Sequence, residues 1–329
     1  MRITVLGAGA WGTALASRLA QHHEVILWAR RDTLISELRQ TYINARYLPN
    51  TPLNPTLQFH SDWNAALQFP QLIILATPIQ ALREVLTRLK SSEQASTPLL
   101  CLSKGFETEH WNLPHQLVSE LWPELTHYGV LSGPSFAAEI AQNKPAALTL
   151  AAPRKDFLLQ WQPELKDNQL RIYPSEDVMG VELSGAVKNI MAIASGLGDG
   201  LKLGQNARAA LITRGLAELT RLGLAMGGQP ETFMGLAGLG DLVLTCTSQT
   251  SRNHQVGVQL ALGKPLTQIL THIGHVAEGV KATQGALYWA KHHQVELPIT
   301  QGVAHVLAGQ ISPKEALAQL LERNPHPLI

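Results

Sequence analysis

The chain's 329 residues exceed the usual size of a single hydrophobic core, so we expect two domains. Its 26 basic and 25 acidic side chains leave a net charge of +1, which excludes a general attraction to nucleic acid or to an anionic membrane, so any anionic ligand must be held by local groups. Its two cysteines, Cys101 and Cys246, lie far apart without metal-ligand spacing, which argues against a disulfide framework or a metal site and favours a reducing compartment.

Short apolar runs alternate with helical segments through the first half of the chain. This alternation is typical of a mostly parallel sheet covered by helices on both faces. The first run starts directly after Met1, which leaves no room for a signal peptide, and no apolar segment approaches the roughly 20 residues of a membrane span. We therefore expect a cytoplasmic protein without a membrane span. The predicted strands cover residues 3–6, 24–28, 57–59, 72–75, 99–102, 129–131, 147–150 and 170–173.

The strand pattern stops near residue 175, and long segments with helical periodicity follow. The predicted helices cover residues 178–195, 207–224, 256–262, 279–292, 303–307 and 313–321. The sequence therefore predicts an α/β dinucleotide-binding domain in residues 1–175 and an all-helical substrate-binding and catalytic domain in residues 176–329. Residues 323–327 are expected to form a frayed tail.

Three glycines, Gly7, Gly9 and Gly12, separate the first predicted strand from an alanine-rich helical stretch. Their spacing is G-x-G-x-x-G, in which the first glycine makes a tight turn and the second admits a pyrophosphate against the backbone. The third glycine lets the helix pack closely on the strand, and the positive end of the helix dipole faces the phosphates. The motif therefore predicts a dinucleotide-binding site at the amino terminus.

The residues after the second predicted strand indicate which dinucleotide binds. NAD-binding versions of the motif place a carboxylate there, whereas this chain has Arg30 and Arg31. Guanidinium groups bind phosphate through paired, charge-assisted hydrogen bonds, which favours a 2′-phosphate and hence NADP, with NAD as the second candidate. The alternative is that both arginines form a solvated turn and that Asp32 reaches the ribose.

Three polar clusters offer groups that hold an anion. Lys104 follows one predicted strand, and residues 132–137 lead from another strand into a helix, so both lie at the sheet edge where ligands of such folds bind. Arg252, beside hydroxyl and amide side chains in residues 250–253, suits a phosphate monoester and follows the glycine-rich residues 234–241. The alternatives are a surface lysine, an ordinary Ser-Pro helix cap and an exposed polar loop.

Lys188 lies within an apolar helical segment whose other residues are small. At helical spacing it shares a face with Ser184, Met191, Ala192 and Ser195, so its amine is expected to be partly desolvated. Burial and a nearby cation lower an ammonium pKa from about 10.4 toward about 7 to 8, which suits general acid-base catalysis of carbonyl reduction. The alternative is a lysine that extends along the apolar surface to reach solvent.

Seven segments in register across nearly the whole chain carry a family resemblance. They are GAGAWGTALA, LSKGFE, LSGPSFAAE, GAVKNIMAIASGLGDG, GLAGLGDL, SRNH and VAEGVKAT. In this order they resemble the bacterial NAD(P)-dependent glycerol-3-phosphate dehydrogenases. The resemblance implies reversible reduction of dihydroxyacetone phosphate to sn-glycerol 3-phosphate, which supplies the backbone of membrane phospholipids. It also implies a cytoplasmic, usually homodimeric enzyme with a Rossmann-like domain and a helical domain similar to that of 6-phosphogluconate dehydrogenase.

The resemblance also assigns roles to individual residues. Lys188 matches the family's proton donor and acceptor, Lys104 matches a residue that contacts both substrate and cofactor, and Arg252 matches a bridge between the substrate phosphate and the cofactor. Further substrate contacts fall on Gly133, Ser135, Asp241, Ser251 and Asn253. Further cofactor contacts fall on Ala10, Trp11, Arg30, Ala137, Val276 and Glu278, beside the three glycines and Arg31. Ala10 stands where some relatives carry serine, which removes one hydroxyl contact to the pyrophosphate.

Two other functions stay open on the residues alone. A two-domain enzyme that reduces the keto form of a β-hydroxy acid, or an imine, places an asparagine one helical turn after the lysine, where this chain has Ala192. Such an enzyme needs no phosphate-binding arginine. A cofactor-sensing binding protein would keep the first domain and lose catalysis, and Lys188, Asp241 and Arg252 together argue against it.

Overall fold

The computed structural model of the chain describes residues 1–273 and 278–322, so the predicted tail at 323–327 lies outside the described residues. The chain divides into two compact units. The first unit comprises Met1–Ser103 and Pro114–Val178, and the second comprises Lys104–Leu113 and the chain from Met179 onward. Lys104–Leu113 therefore packs with the second unit although it lies within the α/β half of the sequence. The sequence pattern did not indicate this crossing.

An eight-stranded sheet forms the centre of the first unit. Its strands are β1 (Arg2–Leu6), β2 (Glu24–Trp28), β3 (Gln58–His60), β4 (Leu72–Leu75), β5 (Leu99–Cys101), β6 (Tyr128–Ser132), β7 (Ala146–Ala151) and β8 (Leu170–Ser175). They lie in the order β3-β2-β1-β4-β5-β6-β7-β8, and every neighbouring pair is parallel except β6 with β7. The predicted mostly parallel sheet is confirmed, with strand ends that differ by a residue or two.

Seven helices accompany the sheet. They are α1 (Ala10–Leu19), α2 (Asp32–Thr41), α3 (Trp63–Ala66), α4 (Ile79–Lys90), α5 (Pro114–Leu121), α6 (Ala137–Ala141) and α7 (Lys155–Leu165). The central strands are near-continuous apolar runs because helices cover both faces of a parallel sheet, and Ile3, Val5 and Ile74 are wholly buried. The strand order reverses between β1 and β4, which is where open sheets of this kind bind ligands.

A buried ion pair holds α1 in place. The Arg18 guanidinium donates to the Asp167 carboxylate at 2.6 Å, and its side chain is only 1% exposed. The same guanidinium donates to the carbonyl oxygen of Ile140 at the end of α6. The helix that follows the glycine motif is thereby fixed to the later part of its own unit.

The second unit is helical. Its elements are α8 (Val178–Gly200), α9 (Gln205–Ala225), α10 (Pro230–Met234), a π-helical turn (Leu236–Gly240), α11 (Asp241–Thr247), α12 (Arg252–Ala261), α13 (Leu266–Ile273), α14 (Glu278–His292), α15 (Pro298–Leu307) and α16 (Pro313–Glu322). The sequence pattern predicted α8, α9, α12, α14, α15 and α16. It missed α10, the π-helical turn, α11 and α13, because short or glycine-rich stretches break the helical periodicity.

Helix α8 runs through the core of the second unit, and residues 180–197 are all buried. Its backbone touches neighbouring helices through glycines. A Cβ on Gly196 would lie 2.0 Å from the carbonyl oxygen of His254, and a Cβ on Gly257 would lie 2.0 Å from that of Ile193, so α8 and α12 meet without intervening side chains. A Cβ on Gly279 would lie 2.6 Å from the Asn189 carbonyl oxygen, which places the start of α14 equally close to α8.

Two further expectations concern the cysteines and the membrane. Cys101 and Cys246 are both buried free thiols, as expected for small apolar side chains. In the described part of the chain, no helix combines the length and the apolar character that crossing a bilayer requires.

Candidate active site

The glycine motif of the first unit forms a tight turn between β1 and α1. Gly7 has a φ of +123°, and a Cβ there would lie 2.6 Å from the Ala76 carbonyl oxygen, so no other residue fits without strain. A Cβ on Gly12 would lie 2.1 Å from the Gly7 carbonyl oxygen, which shows how closely α1 approaches the strand. These two glycines have the structural roles that the motif predicts.

Gly9 differs from the other two because a Cβ there would meet nothing within 4 Å. It precedes α1 as the N-cap residue, and no side chain caps the helix start, so the first-turn N–H groups remain available to an anion. Trp11 carries a buried indole N–H without a hydrogen-bond partner among the described residues. Open space beside Gly9 and backbone donors at the helix start fit a dinucleotide pyrophosphate.

A buried amide supports this turn from behind. Asn44 donates from Nδ2 to the carbonyl oxygen of Ala8 at 3.1 Å and to the Thr13 hydroxyl at 2.8 Å. The Asn44 carbonyl group also accepts from the Tyr47 N–H. The sequence pattern did not identify Asn44. A buried side-chain amide must be hydrogen-bonded, and here the glycine-rich loop provides its partners.

Arg30 and Arg31 are exposed at the carboxyl end of β2. Arg31 donates to the hydroxyl of Tyr47 at 3.2 Å, and the Arg46 guanidinium lies 5.4 Å from the centre of the Tyr47 ring. Asp32, the residue that would reach a ribose in the NAD alternative, begins α2 and is also exposed. Arg31 and Arg46 therefore both contact Tyr47 at this edge of the sheet.

Gly133, Ser135 and Ala137 follow β6 in the first unit. Gly133 has a φ of +135°, and the Ser135 hydroxyl donates to its carbonyl oxygen at 2.9 Å. Ala137 is the first residue of α6. These residues form a fixed turn at a strand end, in the place that the sequence predicts.

Two lysines share one carboxylate in the second unit. The Lys188 amine lies 2.5 Å from Oδ1 of Asp241, and the Lys104 amine lies 3.0 Å from Oδ2 of the same carboxylate. The side chain of Asp241 is 1% exposed, that of Lys188 is 11% exposed and that of Lys104 is 15% exposed. Lys188 therefore does not extend to solvent, and the alternative proposed for it is wrong.

Burial and the shared charges shift the pKa values of Lys188 and Asp241. Burial lowers the pKa of the Lys188 ammonium from 10.5 to about 8, against the attraction of Asp241 and with the help of the Lys104 charge. Burial by itself raises the pKa of the Asp241 carboxyl, but the two ammonium groups outweigh burial, and the pKa lies below its usual value. The nearby Cys246 thiol stays neutral because burial raises its pKa to about 12.

The backbone around Asp241 is irregular. Asp241 begins α11 directly after the π-helical turn, and π-helical turns occur frequently at functional sites. A Cβ on Gly238 within this turn would lie 2.1 Å from the Phe233 carbonyl oxygen, so the turn packs backbone to backbone on α10. The Thr245 hydroxyl donates to the Asp241 carbonyl oxygen at 2.6 Å. The glycine-rich stretch therefore positions the carboxylate.

Asn189, the neighbour of Lys188, connects two residues of the predicted site. Its Nδ2 donates to Glu278 at 3.2 Å, and its Oδ1 accepts from Asn253 at 3.0 Å. Asn253 in turn accepts from the N–H of Gly279 at 3.1 Å. The sequence pattern did not identify Asn189. The signal that identifies it is an amide side chain within an apolar, buried helix.

The start of α12 carries the third polar cluster. Ser251 is the N-cap residue and accepts from the N–H of His254, while Arg252 is exposed in the first turn. The His254 ring hydrogen-bonds the Asp199 carboxylate at 2.7 Å, and Arg208 donates to the same carboxylate at 2.7 Å. Asp199 thus ties the end of α8 to the helix start that bears Arg252.

The predicted site residues divide between the two units. Gly7, Gly9, Ala10, Trp11, Gly12, Arg30, Arg31, Gly133, Ser135 and Ala137 lie in the first, and Lys104, Lys188, Asp241, Ser251, Arg252, Asn253 and Glu278 lie in the second. Val276 lies outside the described residues. Within residues 1–273 and 278–322, no three His, Cys, Asp or Glu side chains are grouped so as to hold a metal ion.

Comparison with known proteins gives a consistent result along the chain. The family model for the NAD-dependent glycerol-3-phosphate dehydrogenase N-terminus matches residues 2–158, and the model for the C-terminus matches residues 177–318. Proteins called glycerol-3-phosphate dehydrogenase [NAD(P)+] are 47% identical in Ralstonia nicotianae and 49% identical in Thiobacillus denitrificans, with 98% of each chain covered in both comparisons.

The solved structures agree with these relatives. The crystal structure of glycerol-3-phosphate dehydrogenase from Coxiella burnetii superposes with a TM-score of 0.93 at 42% identity, over 98% of this chain and 99% of that one. Two matching domain models and relatives well above 30% identity over nearly the full length establish the family. The chain belongs to the NAD-dependent glycerol-3-phosphate dehydrogenase family.

Proposed function

We propose that the protein catalyses the reversible reduction of dihydroxyacetone phosphate to sn-glycerol 3-phosphate, with NADPH favoured and NADH as the second cofactor. The relatives named for this reaction and for NAD(P)+ support the substrate and the cofactor pair. The observation that carries the proposal is the buried Lys188 amine beside Asp241, with a pKa of about 8. An amine with this pKa both gives and takes a proton near neutral pH.

Lys188 is the proposed catalytic residue. When bound, the reduced nicotinamide supplies a hydride to the substrate carbon. The carbonyl oxygen then gains negative charge, which the Lys188 ammonium stabilises and neutralises by donating a proton. Asp241 holds the ammonium in position, since its carboxylate pairs with the amine within a buried site. In the oxidation direction the neutral amine takes the proton from the alcohol.

Lys104 adds a second positive charge to the site. Its amine pairs with the other oxygen of Asp241, so the carboxylate charge is shared between two ammonium groups. This sharing leaves net positive charge around the substrate oxygen, which favours a developing alkoxide. We assign Lys104 to both substrate and cofactor contact, as the family resemblance implies.

The proposed phosphate site is the start of α12. Arg252 offers an exposed guanidinium there, and the first-turn N–H groups of a ten-residue helix favour an anion. Ser251 contributes a hydroxyl, and Asn253 has one amide hydrogen left after its bond to Asn189. Arg252 also reaches the cofactor in this proposal, and Gly133 and Ser135 provide further substrate contacts.

The proposed cofactor site is the glycine motif with its flanking residues. Gly7, Gly9 and Gly12 shape the turn, Ala10 and Trp11 lie in the first turn of α1, and Arg30 and Arg31 hold the 2′-phosphate of NADPH. Ala137, Val276 and Glu278 complete the contacts that the resemblance implies.

We further propose a cytoplasmic homodimer that supplies sn-glycerol 3-phosphate for phospholipid synthesis. The family resemblance supports this assignment, and the names of the relatives support the dehydrogenase activity on which it depends. Sedimentation equilibrium tests the dimer, because a monomer mass at micromolar concentration contradicts it. Cell fractionation tests the location, and loss of phospholipid synthesis after depletion of the protein tests the metabolic role.

A spectrophotometric assay tests the reaction. Consumption of NADPH or NADH is followed with dihydroxyacetone phosphate, with an unphosphorylated β-keto acid and without substrate. Rapid oxidation with dihydroxyacetone phosphate alone is the expected result. Turnover of the keto acid instead indicates a β-hydroxy acid dehydrogenase, and binding of cofactor without any turnover indicates a cofactor-sensing protein.

A further inference from the structure

Lys104–Leu113, called the strap below, is a loop of the second unit that holds its own shape. The Glu107 N–H donates to the Asn112 carbonyl oxygen at 3.0 Å, which closes the loop. The Glu107 carboxylate accepts from the N–H groups of Glu109 and His110 at 3.0 and 2.8 Å. Because these bonds fix the middle of the strap, a displacement of its attachment points moves the loop as a whole.

The first attachment is a close contact between Phe106 and α14. Phe106 is 1% exposed, and it packs where α14 has Gly285. A Cβ on Gly285 would lie 2.5 Å from Cγ and 2.8 Å from Cβ of Phe106. The contact involves the base of the Phe106 side chain, so rotation of the ring alone does not make room for a methyl group at Gly285.

The second attachment is a hydrogen bond four residues further along α14. The Trp289 indole donates to the Trp111 carbonyl oxygen at 2.7 Å. Trp111 has a φ of +59°, a backbone region that few non-glycine residues occupy, so the surrounding contacts hold it there. Leu113, at the end of the strap, is wholly buried in the core of the second unit.

Lys104 stands at the beginning of the same strap, two residues before Phe106. The intervening Gly105 has a φ of +104°, which an L-residue rarely adopts. This turn directs the Lys104 amine to Asp241 at 3.0 Å while Phe106 enters the core beside α14. The position of the amine therefore depends on where Phe106 is held.

We propose that Gly285 and Trp289 are positioning residues, which hold the strap on α14 and thereby place the Lys104 amine against Asp241. The inference rests on the proposed function, because it concerns the amine that we assign to substrate and cofactor. Neither Gly285 nor Trp289 needs to touch substrate for this role. Their effect passes through Phe106 and Trp111 to Lys104.

Gly285→Ala is the principal test. The added methyl group displaces Phe106 and with it Lys104, so kcat for dihydroxyacetone phosphate reduction should fall by about tenfold. The group that reports the displacement is Lys188, whose charged or titratable neighbours are Asp241 and Cys246 on α11 and Lys104 on the strap. With the Lys104 ammonium further away, Lys188 holds its proton more tightly. The fall of kcat at alkaline pH should then shift to higher pH.

Gly302→Ala is the matched control. Gly302 lies inside helix α15, and a Cβ there would meet only the Ala316 Cβ at 3.9 Å, an ordinary contact distance. This variant should retain both kcat and the pH profile of the unsubstituted enzyme. Thermal unfolding of both variants shows whether folded protein is lost. Such a loss lowers kcat by the same factor at every pH and does not shift the pH profile.

Trp289→Phe is the second test because it keeps an aromatic ring while removing the indole donor, together with part of the ring's packing. It should shift the profile in the same direction by a smaller amount. An active enzyme whose profile stays in place in both variants overturns the inference, even if kcat falls. Lack of dihydroxyacetone phosphate reduction by the unsubstituted enzyme overturns instead the proposed function.

Discussion

Lys188 and Asp241 form a buried ion pair at 2.5 Å, in which the lysine keeps a pKa of about 8. A lone buried lysine loses its charge more readily, and a fully paired surface lysine keeps a pKa near its usual value. The intermediate value arises because burial lowers the pKa of Lys188, the paired Asp241 carboxylate raises it, and the neighbouring Lys104 ammonium lowers it again.

Replacing Lys188 by Ala should remove the proton donor. We expect kcat for dihydroxyacetone phosphate reduction to fall by about 100-fold or more, since general acid catalysis contributes at least this factor. The dissociation constant of NADPH, measured by fluorescence titration, should stay close to that of the unsubstituted enzyme. Lys155→Ala is the control, because the Lys155 side chain is 76% exposed. Turnover of the Lys188 variant within a few fold of the unsubstituted rate rules out the assigned role.

The pH dependence of kcat should reflect Lys188. Reduction needs the protonated amine, so kcat should be highest well below pH 8 and fall to about half of that value as the pH reaches about 8. Oxidation of sn-glycerol 3-phosphate needs the neutral amine and should rise over the same range. Stopped-flow rates at saturating substrate between about pH 6.5 and 9.5 test both directions. Parallel changes in the two directions contradict the assignment.

Asp241→Asn and Lys104→Met should shift this profile in opposite directions. Loss of the Asp241 charge leaves two unpaired ammonium groups, so the pKa of Lys188 drops and reduction fails at lower pH. Loss of the Lys104 charge removes a repulsion, so the pKa of Lys188 rises and reduction persists to higher pH. The profiles of kcat measure both shifts. A shift in the same direction for both variants is incompatible with the shared carboxylate.

Two glycines of the dinucleotide motif should respond differently to alanine. Gly12→Ala should lower the free energy of unfolding by about 2 kcal/mol or more, because its Cβ would lie 2.1 Å from the Gly7 carbonyl oxygen. Gly9→Ala should leave stability unchanged, since its Cβ would meet no protein atom within 4 Å, but weaken NADPH binding by about tenfold or more. Denaturant titration and NADPH fluorescence give the two quantities. Unchanged NADPH binding by a folded Gly9 variant argues against a pyrophosphate at this position.

Replacing Arg30 and Arg31 together by Gln should lower kcat/KM for NADPH by about tenfold or more while changing the value for NADH little. Hydrogen bonds to a charged group contribute about 1.5 to 3 kcal/mol, and only NADPH carries the 2′-phosphate. Steady-state kinetics with both cofactors provide the comparison. Equal losses for the two cofactors favour the alternative in which the arginines form a solvated turn.

The strands and long helices were predictable because their signals are local. β1 and β4 are short apolar runs, and the glycine motif between β1 and α1 has a spacing set by backbone geometry alone. The desolvation of Lys188 was one of two hypotheses from the sequence, since the face of α8 that it shares carries small or apolar side chains but a lysine can also extend to solvent. Its pairing with Asp241 could be expected only from the family resemblance, because 53 residues separate the two along the chain.

The features that the sequence did not reveal depend on contacts between distant segments. Phe106 packs against Gly285, and no periodicity in either segment indicates this contact. The π-helical turn before Asp241 lies in a glycine-rich stretch that has no helical pattern, and its shape comes from packing on α10. Asn189 lies within one of the family segments, but its role could not be predicted, because its partners Glu278 and Asn253 lie on two other helices.

The direct backbone contact of Gly196 with α12, and of Gly257 with α8, limits how the site can change. Side chains between two helices accommodate small substitutions by changing rotamer, but two backbones in direct contact cannot adjust in this way. The contact therefore fixes the spacing between α8, which bears the proposed proton donor Lys188, and the start of α12, which bears Arg252. A change of specificity toward longer or shorter phosphorylated ketones is therefore expected in the strap that bears Lys104, because the contact between α8 and α12 offers no room for adjustment.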